Sequence, residues 1–239
     1  EWTVANRSRA TGGFAHGAKD PAGPYLSDTL AMGDAMLAFY MASGDVTWLK
    51  RAGEAADFIT KTFQHPEAGF VTVQKPAVRA ATFAKPFVNI EENAALARFA
   101  NLLYRTSGAA RYRDVAAHAM RHLTSDAVVA RRRFMLGTVL ADDEMAIEPA
   151  HVTIVGKTGD SAADALHRAA LSLPVGYRRI DRWDPASGPM LNPDVQYPAM
   201  DQAAAFACAN QICSLPVFSG KNLKQTVAKM MRLRRGNRR

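Results

Sequence analysis

The chain writes one passage twice. Tyr40-Met41-Ala42-Ser43-Gly44-Asp45-Val46-Thr47-Trp48 returns 64 positions later as Tyr104-Arg105-Thr106-Ser107-Gly108-Ala109-Ala110-Arg111-Tyr112. In each copy an apolar run ends in an aromatic, a Ser-Gly turn follows, and a second amphipathic run opens near another aromatic. A repeat of this length predicts stacked helical hairpins rather than one irregular core. In such arrays the connecting loops gather at one end, which is where a ligand site is expected.

The copies can be set in register. The first opens at Gly12-Gly13-Phe14, and a helix is predicted from Ser27 or Asp28 to Tyr40, with one of those two residues as its cap. Its partner is predicted over about 47–63, where Trp48, Leu49, Ala52, Ala55, Ala56 and Ile59 recur at three-to-four spacing. The second copy opens at Gly69-Phe70 and reaches an acidic helix start at Glu91-Glu92-Asn93, where carboxylates suit the helix dipole. That helix is predicted to run to about Arg105. Its partner, 111–124, turns Tyr112, Val115, Ala116, Ala119, Met120 and Leu123 inward. From Phe14 to Asp28 is 14 residues, whereas from Phe70 to Glu92 is 22. The helices therefore repeat while the loops diverge, as expected if the loops set specificity.

After a further helix to about Asp142 the character changes at Pro149. His151-Val152-Thr153-Ile154-Val155-Gly156 reads as a β-branched strand, and 161–173 as a helix capped by Asp160 or Ser161 and stopped by Pro174. Strands are predicted near 177–180 and 204–208, which together suggest a small βαβ unit. The turn Val155-Gly156-Lys157-Thr158-Gly159-Asp160 has neither glycine spacing of a nucleotide-binding loop, so a plain strand-to-helix connection is expected. The predicted organisation is a mainly α protein: helical hairpins over 1–148, a small α/β segment over 149–219 and a basic tail over 220–239.

Charge is uneven along this plan. Of 30 basic residues, eight lie between Gly220 and Arg239, an acid-free stretch, and the remaining 22 balance 22 acids. With no interleaved aromatics and no nucleic-acid motif, the stretch reads as a solvated extension, and nucleic acid is not the expected partner. No apolar run is long enough to span a bilayer and no signal peptide opens the chain, so a cytoplasmic location is favoured. Cys208 and Cys213 are two thiols with no histidine within ten residues. Two thiolates do not complete a zinc site, and they stand as structural or free thiols or as a disulfide or redox pair. No metal and no cofactor is expected.

Several passages resemble a known family. Gly23-Pro24-Tyr25-Leu26-Ser27-Asp28-Thr29-Leu30-Ala31, the run Leu37 to Leu49, Asn89-Ile90-Glu91-Glu92-Asn93-Ala94-Ala95, the strand Val152 to Gly156, Phe206-Ala207-Cys208 and Cys213-Ser214-Leu215-Pro216-Val217 are similar to the C-terminal region of thioredoxin domain-containing proteins of the spermatogenesis-associated protein 20 type. The resemblance touches most of residues 12–218. It implies a partial α/α toroid related to six-hairpin glycosidases and N-acylglucosamine 2-epimerases, closed by a small α/β segment. It further implies a thioredoxin-like domain and earlier hairpins preceding this part. A start at Glu1 and about two hairpins, where a closed toroid has six, read as the C-terminal part of a longer protein or as an open arc. The family pattern places an Asp at the first hairpin start, matching Asp28, and an Asn at the next, matching Asn93. Glu91 and Glu92 stand where the family often has Ser-Gly.

The candidate chemistry follows from these positions. Two carboxyl groups flanking a glycosidic bond, one protonated and one ionised, are the requirement for sugar hydrolysis, and Asp28 and Glu92 hold equivalent places in the repeat. Both also suit a helix N-terminus without any catalytic role. Epimerisation needs a base with an acid partner, and His16, in the first loop, is the histidine best placed for it. Lys85, Glu91 and Asn93 are candidate substrate contacts. His118 and His122 share a helix face without a third ligand. The expected function is a carbohydrate-type pocket at the hairpin loops, binding a small sugar-like ligand. The alternative is a non-catalytic scaffold that packs against the thioredoxin-like domain.

Overall fold

A computed structural model of the chain describes residues 1–10, 12–18, 23–73, 87–130, 135–192, 196–198, 200–209 and 212–236. In order, the elements are α1 (Trp2–Arg7), α2 (Leu26–Ser43), α3 (Val46–Phe63), α4 (Ile90–Ser107), α5 (Ala110–Leu123), α6 (Asp126–Val129), α7 (Leu136–Ala146), β1 (Ala150–Val155), α8 (Ser161–Leu171), β2 (Arg178–Trp183), β3 (Ala204–Ala209), β4 (Ile212–Cys213) and α9 (Gly220–Gly236). They form two compact units. The helical unit comprises Glu1–Ala38, Val46–Tyr104 and Ala109–Met145; the α/β unit comprises Phe39–Asp45, Arg105–Gly108 and Ala146–Arg239.

In the helical unit, α2–α3 and α4–α5 are the two expected hairpins. Leu49, Ala52, Ala56, Ile59 and Phe63 of α3, and Tyr112, Val115, Ala116, Ala119 and Leu123 of α5, are buried at helical spacing. Small residues let the helices approach closely. A Cβ at Gly33 of α2 would lie 2.8 Å from the Phe99 ring of α4 and 3.2 Å from Ala55 of α3. α7 is tied to α4 by a two-pronged ion pair, in which the Arg98 Nε and Nη2 atoms lie 2.9 and 2.8 Å from the buried Glu144 carboxylate.

The repeat extends into the loop backbone. Arg9 donates its N–H to Gly13 O and Ala15 donates to Arg7 O. Fifty-six residues on, His65 donates to Gly69 O and Val71 to Phe63 O. Gly13 and Gly69 both have positive φ (72° and 78°), a conformation that favours glycine. α1 thus holds in copy one the place that the last turn of α3 holds in copy two. Beyond Phe14 and Phe70 the offset grows to 64, and the eight extra residues fall in the longer loop of the second copy.

In the α/β unit the strands are ordered β2-β1-β3-β4, with β1 parallel to β2 and antiparallel to β3. Parallel neighbours need a crossover, and α8 supplies it. Side chains alternate across a strand. Val152, Ile154, Ile180, Ala205 and Ala207 therefore share one face, where α8 and α9 cover them through Leu166, Ala170, Leu223, Val227 and Met230. The expected solvated tail is consequently replaced, over Gly220–Gly236, by an amphipathic helix. Its Leu223, Val227 and Met230 recur at four-and-three spacing among the lysines, so burial of that stripe outweighs the charge run that dominates the sequence.

The other face of the sheet carries His151, Thr153, Arg179 and Asp181. Asp181 is buried and forms an ion pair with Arg179, whose Nε lies 2.6 Å away; it accepts from the Tyr40 hydroxyl at 2.7 Å and lies 2.8 Å from His151 Nε2. Burial alone would raise its pKa; the Arg179 charge and the His151 and Tyr40 hydrogen bonds reverse that and hold it below the usual carboxylate range. The Ser-Gly turns belong to this unit as well. Gly44, at φ 75°, lies against Arg182, and Gly108, at φ 73°, lies against Asn192. Arg179 and Asn192 both donate to Arg105 O.

Two further expectations are settled by geometry. Cys208 lies opposite Cys213 in the β3–β4 register, and the two form a disulfide. The Gly156–Asp160 turn is a plain connection: Asp160 caps α8 by accepting from Ala162 N–H. The Asp184 carboxylate accepts from Thr158 N–H at 2.8 Å, so an acid already occupies that donor.

Candidate functional site

The hairpin loops of the helical unit bring together His16, Tyr25, Asp28, Thr72 and Glu92. The local cause is a short backbone bridge between Tyr25 and Val73, with Leu26 donating its N–H to Thr72 O. This exchange satisfies the first N–H of α2, so the helix begins at Leu26, two residues before Asp28. The expected cap role of Asp28 or Ser27 is thereby displaced, and Asp28 sits inside the first turn with its side chain available.

Asp28 Oδ1 lies 3.0 Å from His16 Nδ1, and Oδ2 is buried without a hydrogen-bond partner. The Asp28 side chain is 19% exposed and that of His16 is 74% exposed, so the pair has an inner carboxylate and an outer imidazole. Tyr25 meets the His16 ring edge-on at 5.9 Å between centroids. When the aspartate accepts from Nδ1–H, the ring's lone pair is on Nε2; this is the arrangement by which a carboxylate fixes the tautomer of a histidine base.

Glu92 accepts from the Thr72 hydroxyl at 2.7 Å. Burial pushes its pKa up, the Thr72 bond pulls it back, and the negative charge of Asp28 pushes it up again. The two acids that the repeat aligns are thus close enough for one to bias the other. An acid that holds its proton more tightly in the folded state stabilises the fold below its ordinary pKa and weakens it as pH rises through the folded value. Glu92→Gln is accordingly expected to raise the thermal midpoint at pH 7. The gain should vanish below about pH 4, where Glu is protonated folded or unfolded. Equal midpoints at pH 7, measured by circular dichroism, would contradict the burial of this carboxyl.

The remaining candidates are placed differently. Asn93 is fully buried and spends its amide on backbone: Oδ1 accepts from Phe70 N–H at 2.8 Å, and Nδ2 donates to Phe70 O at 2.9 Å and Asn89 O at 2.8 Å. It fixes the loop that carries Thr72 and leaves no N–H for a ligand. Its counterpart in copy one is Thr29, whose hydroxyl accepts from Phe14 N–H at 3.1 Å. Glu91 is exposed and its Oε2 lies beside Gly137 of α7. The cap of α4 is Asn89, which accepts from both Glu91 and Glu92 N–H. Lys85 lies outside the described residues. Thr72 and Tyr25 escape the sequence reading, because a loop Thr beside a Pro-rich stretch carries no signal until the bridge to α2 is known.

Among the described residues no group of three or more His, Cys, Asp or Glu could hold a metal ion, and no helix is long and apolar enough to cross a membrane. The fold and site define a helical-hairpin unit with an Asp–His pair and a second carboxyl at its loops, joined in one chain to a small α/β unit. No family model matches the chain, and no curated protein matches it. Among solved structures it is similar to cellobiose 2-epimerase from Spirochaeta thermophila DSM 6192, at 18% identity and a TM-score of 0.42. The match covers 52% of this chain and 35% of the epimerase, so it spans about a third of that protein's length.

Proposed function

We propose that the hairpin-loop site is an acid–base site for a sugar-like ligand, in a module that forms part of an α/α toroid. The observation that carries this reading is the Asp28–His16 pair set beside Glu92. The three groups offer what proton transfer at a sugar needs: an oriented imidazole as base, a carboxylate that stabilises it once charged, and a second carboxyl whose pKa is raised, the direction that suits an acid. For an open-chain aldose, His16 Nε2 would take the proton from the carbon next to the carbonyl while Glu92 protonates the carbonyl oxygen, giving an enediol. Return of the proton to either face gives back the sugar or its epimer. Hydrolysis by Asp28 and Glu92 uses the same carboxyls, with water as co-reactant.

The test is NMR of reducing mono- and disaccharides incubated with the chain in deuterated water. Deuterium appearing at the carbon next to the carbonyl marks epimerisation, and release of a monosaccharide marks hydrolysis. His16→Ala and Asp28→Asn are each expected to lower the epimerising rate by about 100-fold or more. Turnover that both variants retain in full would sink the site assignment, and no binding or turnover of any sugar would sink the sugar reading.

A second reading has its own observation. Leu136, Val139 and Leu140 of α7 are exposed at 54%, 61% and 38%, and their spacing places them on one helix face. A stripe of this kind fits a scaffold that packs on another protein surface. The partner implied by the family resemblance is a thioredoxin-like domain of the same protein.

A further inference from the structure

The helical unit holds an open recess of about 400 Å³ between α3 and α5, floored by Phe70. Small-molecule sites begin at about 300 Å³. Arg111, His118 and Arg121 of α5 line it, at spacings of seven and three, and so share one face of the helix. Thr60 of α3 and Gln64, the first residue beyond that helix, line it as well.

His118 is the built part of this wall. It is 4% exposed, its Nε2 bonds to His65 O at 2.9 Å, and the Phe70 ring meets it edge-on at 5.2 Å. A ring that donates from Nε2 leaves Nδ1 as acceptor, and the Arg121 guanidinium donates to it. Burial, aided by the Arg121 charge and opposed by the bond to His65, holds the imidazole below its ordinary pKa, which keeps Nδ1 in that accepting state at neutral pH. Arg121 is therefore oriented by a neutral, buried partner that leaves its charge uncompensated. Among the described residues no carboxylate pairs with it. Arg111, about 15 Å further along the axis at 1.5 Å per residue, is already committed to Asp57 at 3.1 Å and to the Tyr112 hydroxyl at 2.6 Å. Asp114, also on the wall, lies 3.3 Å from its neighbour Arg113. The Thr60 hydroxyl donates to Ala56 O, so its oxygen remains an acceptor, and Gln64 is exposed.

We propose that this recess binds a small polar anion, with a carboxylate or phosphate oxyanion on the Arg121 guanidinium and hydroxyl groups of the ligand on Thr60 and Gln64. A planar guanidinium held by one acceptor still presents further N–H groups in a fixed fork, which is the geometry that oxyanions accept. The recess stands on residues other than the hairpin-loop acids, so it does not depend on the sugar reading.

The test is a ¹H–¹⁵N NMR titration of the whole chain with inorganic phosphate, citrate, a hexose phosphate and the parent neutral hexose, at constant ionic strength. Saturable shifts at Thr60, Gln64 and Arg121 are expected with anions and not with the hexose. The phosphate and citrate arms decide which oxyanion is taken. Arg121→Gln is expected to weaken binding at least tenfold, and the hexose phosphate to bind more tightly than phosphate alone. Non-saturating shifts with every anion, or affinity unchanged in Arg121→Gln, would overturn the assignment. If that variant does not fold, Arg121→Lys carries the same decision. A point charge cannot reproduce the fork, so a loss of at least threefold is expected and equal affinity overturns the proposal.

Discussion

Asp181→Ala is expected to destabilise the α/β unit by about 3–5 kcal/mol, the range for breaking a buried ion pair by removing one partner. Asp181 and Arg179 have side chains 1% and 2% exposed, and the aspartate also takes the Tyr40 hydroxyl and His151. Removing the carboxylate strands a guanidinium in the interior and takes the acceptor from the Tyr40 hydroxyl, while His151 Nε2 keeps Thr153 Oγ1 at 2.9 Å. Replacing both charges, as in Arg179→Met with Asp181→Leu, should recover much of the loss, since a buried pair contributes little net stability over well-packed apolar groups. A urea melt followed by circular dichroism measures both variants. A cost below about 1 kcal/mol for the single change would show that the network is dispensable. The pH dependence has a fixed sign. Asp181 has a depressed pKa in the folded state, so its contribution is complete above the ordinary carboxylate value of about 3.9 and is lost as pH falls through the folded value. The gap between the parent chain and Asp181→Ala should therefore close in acid.

This network also marks where sequence reading ends. The strand over His151–Val155 is legible from its β-branched residues, but His151, Thr153, Arg179 and Asp181 meet only because β1 and β2 pair in parallel with His151 opposite Arg179 and Thr153 opposite Asp181. Register between strands set apart by a helix is a tertiary fact, and no local pattern encodes it. The same holds for Cys208 and Cys213: their spacing admits free thiols or a bond, and the hairpin register decides. The hairpins are legible because their signals are local, being an apolar period, a Ser-Gly turn and a positive-φ glycine. The equivalence of Asp28 and Glu92 is legible for the same reason, through alignment of the copies. Their electrostatic coupling is not, because it depends on the Tyr25–Val73 bridge across two loops. Over 220–239, eight basic residues and no acid dominate any reading of composition. Packing in α9 weighs them the other way, since Leu223, Val227 and Met230 are buried in the core against the sheet and Met231 packs beside them.

Asn93→Ala is expected to cost about 2–4 kcal/mol in the helical unit. The side chain satisfies one buried N–H and two carbonyls, and each group left unpaired costs about 1–3 kcal/mol, softened where water can reach it. The copy-one counterpart supplies the control. Thr29 holds Phe14 through one bond, so Thr29→Ala should cost about 1–2 kcal/mol, with the lost methyl included. The two variants thus measure the same joint in two copies, and Asn93 should be the costlier because it clamps both sides of Phe70 where Thr29 holds one. The consequence reaches the site. Asn93 fixes Phe70, the chain continues to Thr72, and Thr72 holds Glu92. Asn93→Ala should therefore also move the Glu92 carboxyl, read as a changed ¹³C chemical shift of its Cδ across a pH titration, while Thr29→Ala leaves that titration alone. Equal stability costs in the two copies, or a Glu92 titration indifferent to Asn93→Ala, would show that the second loop is held by something other than this amide.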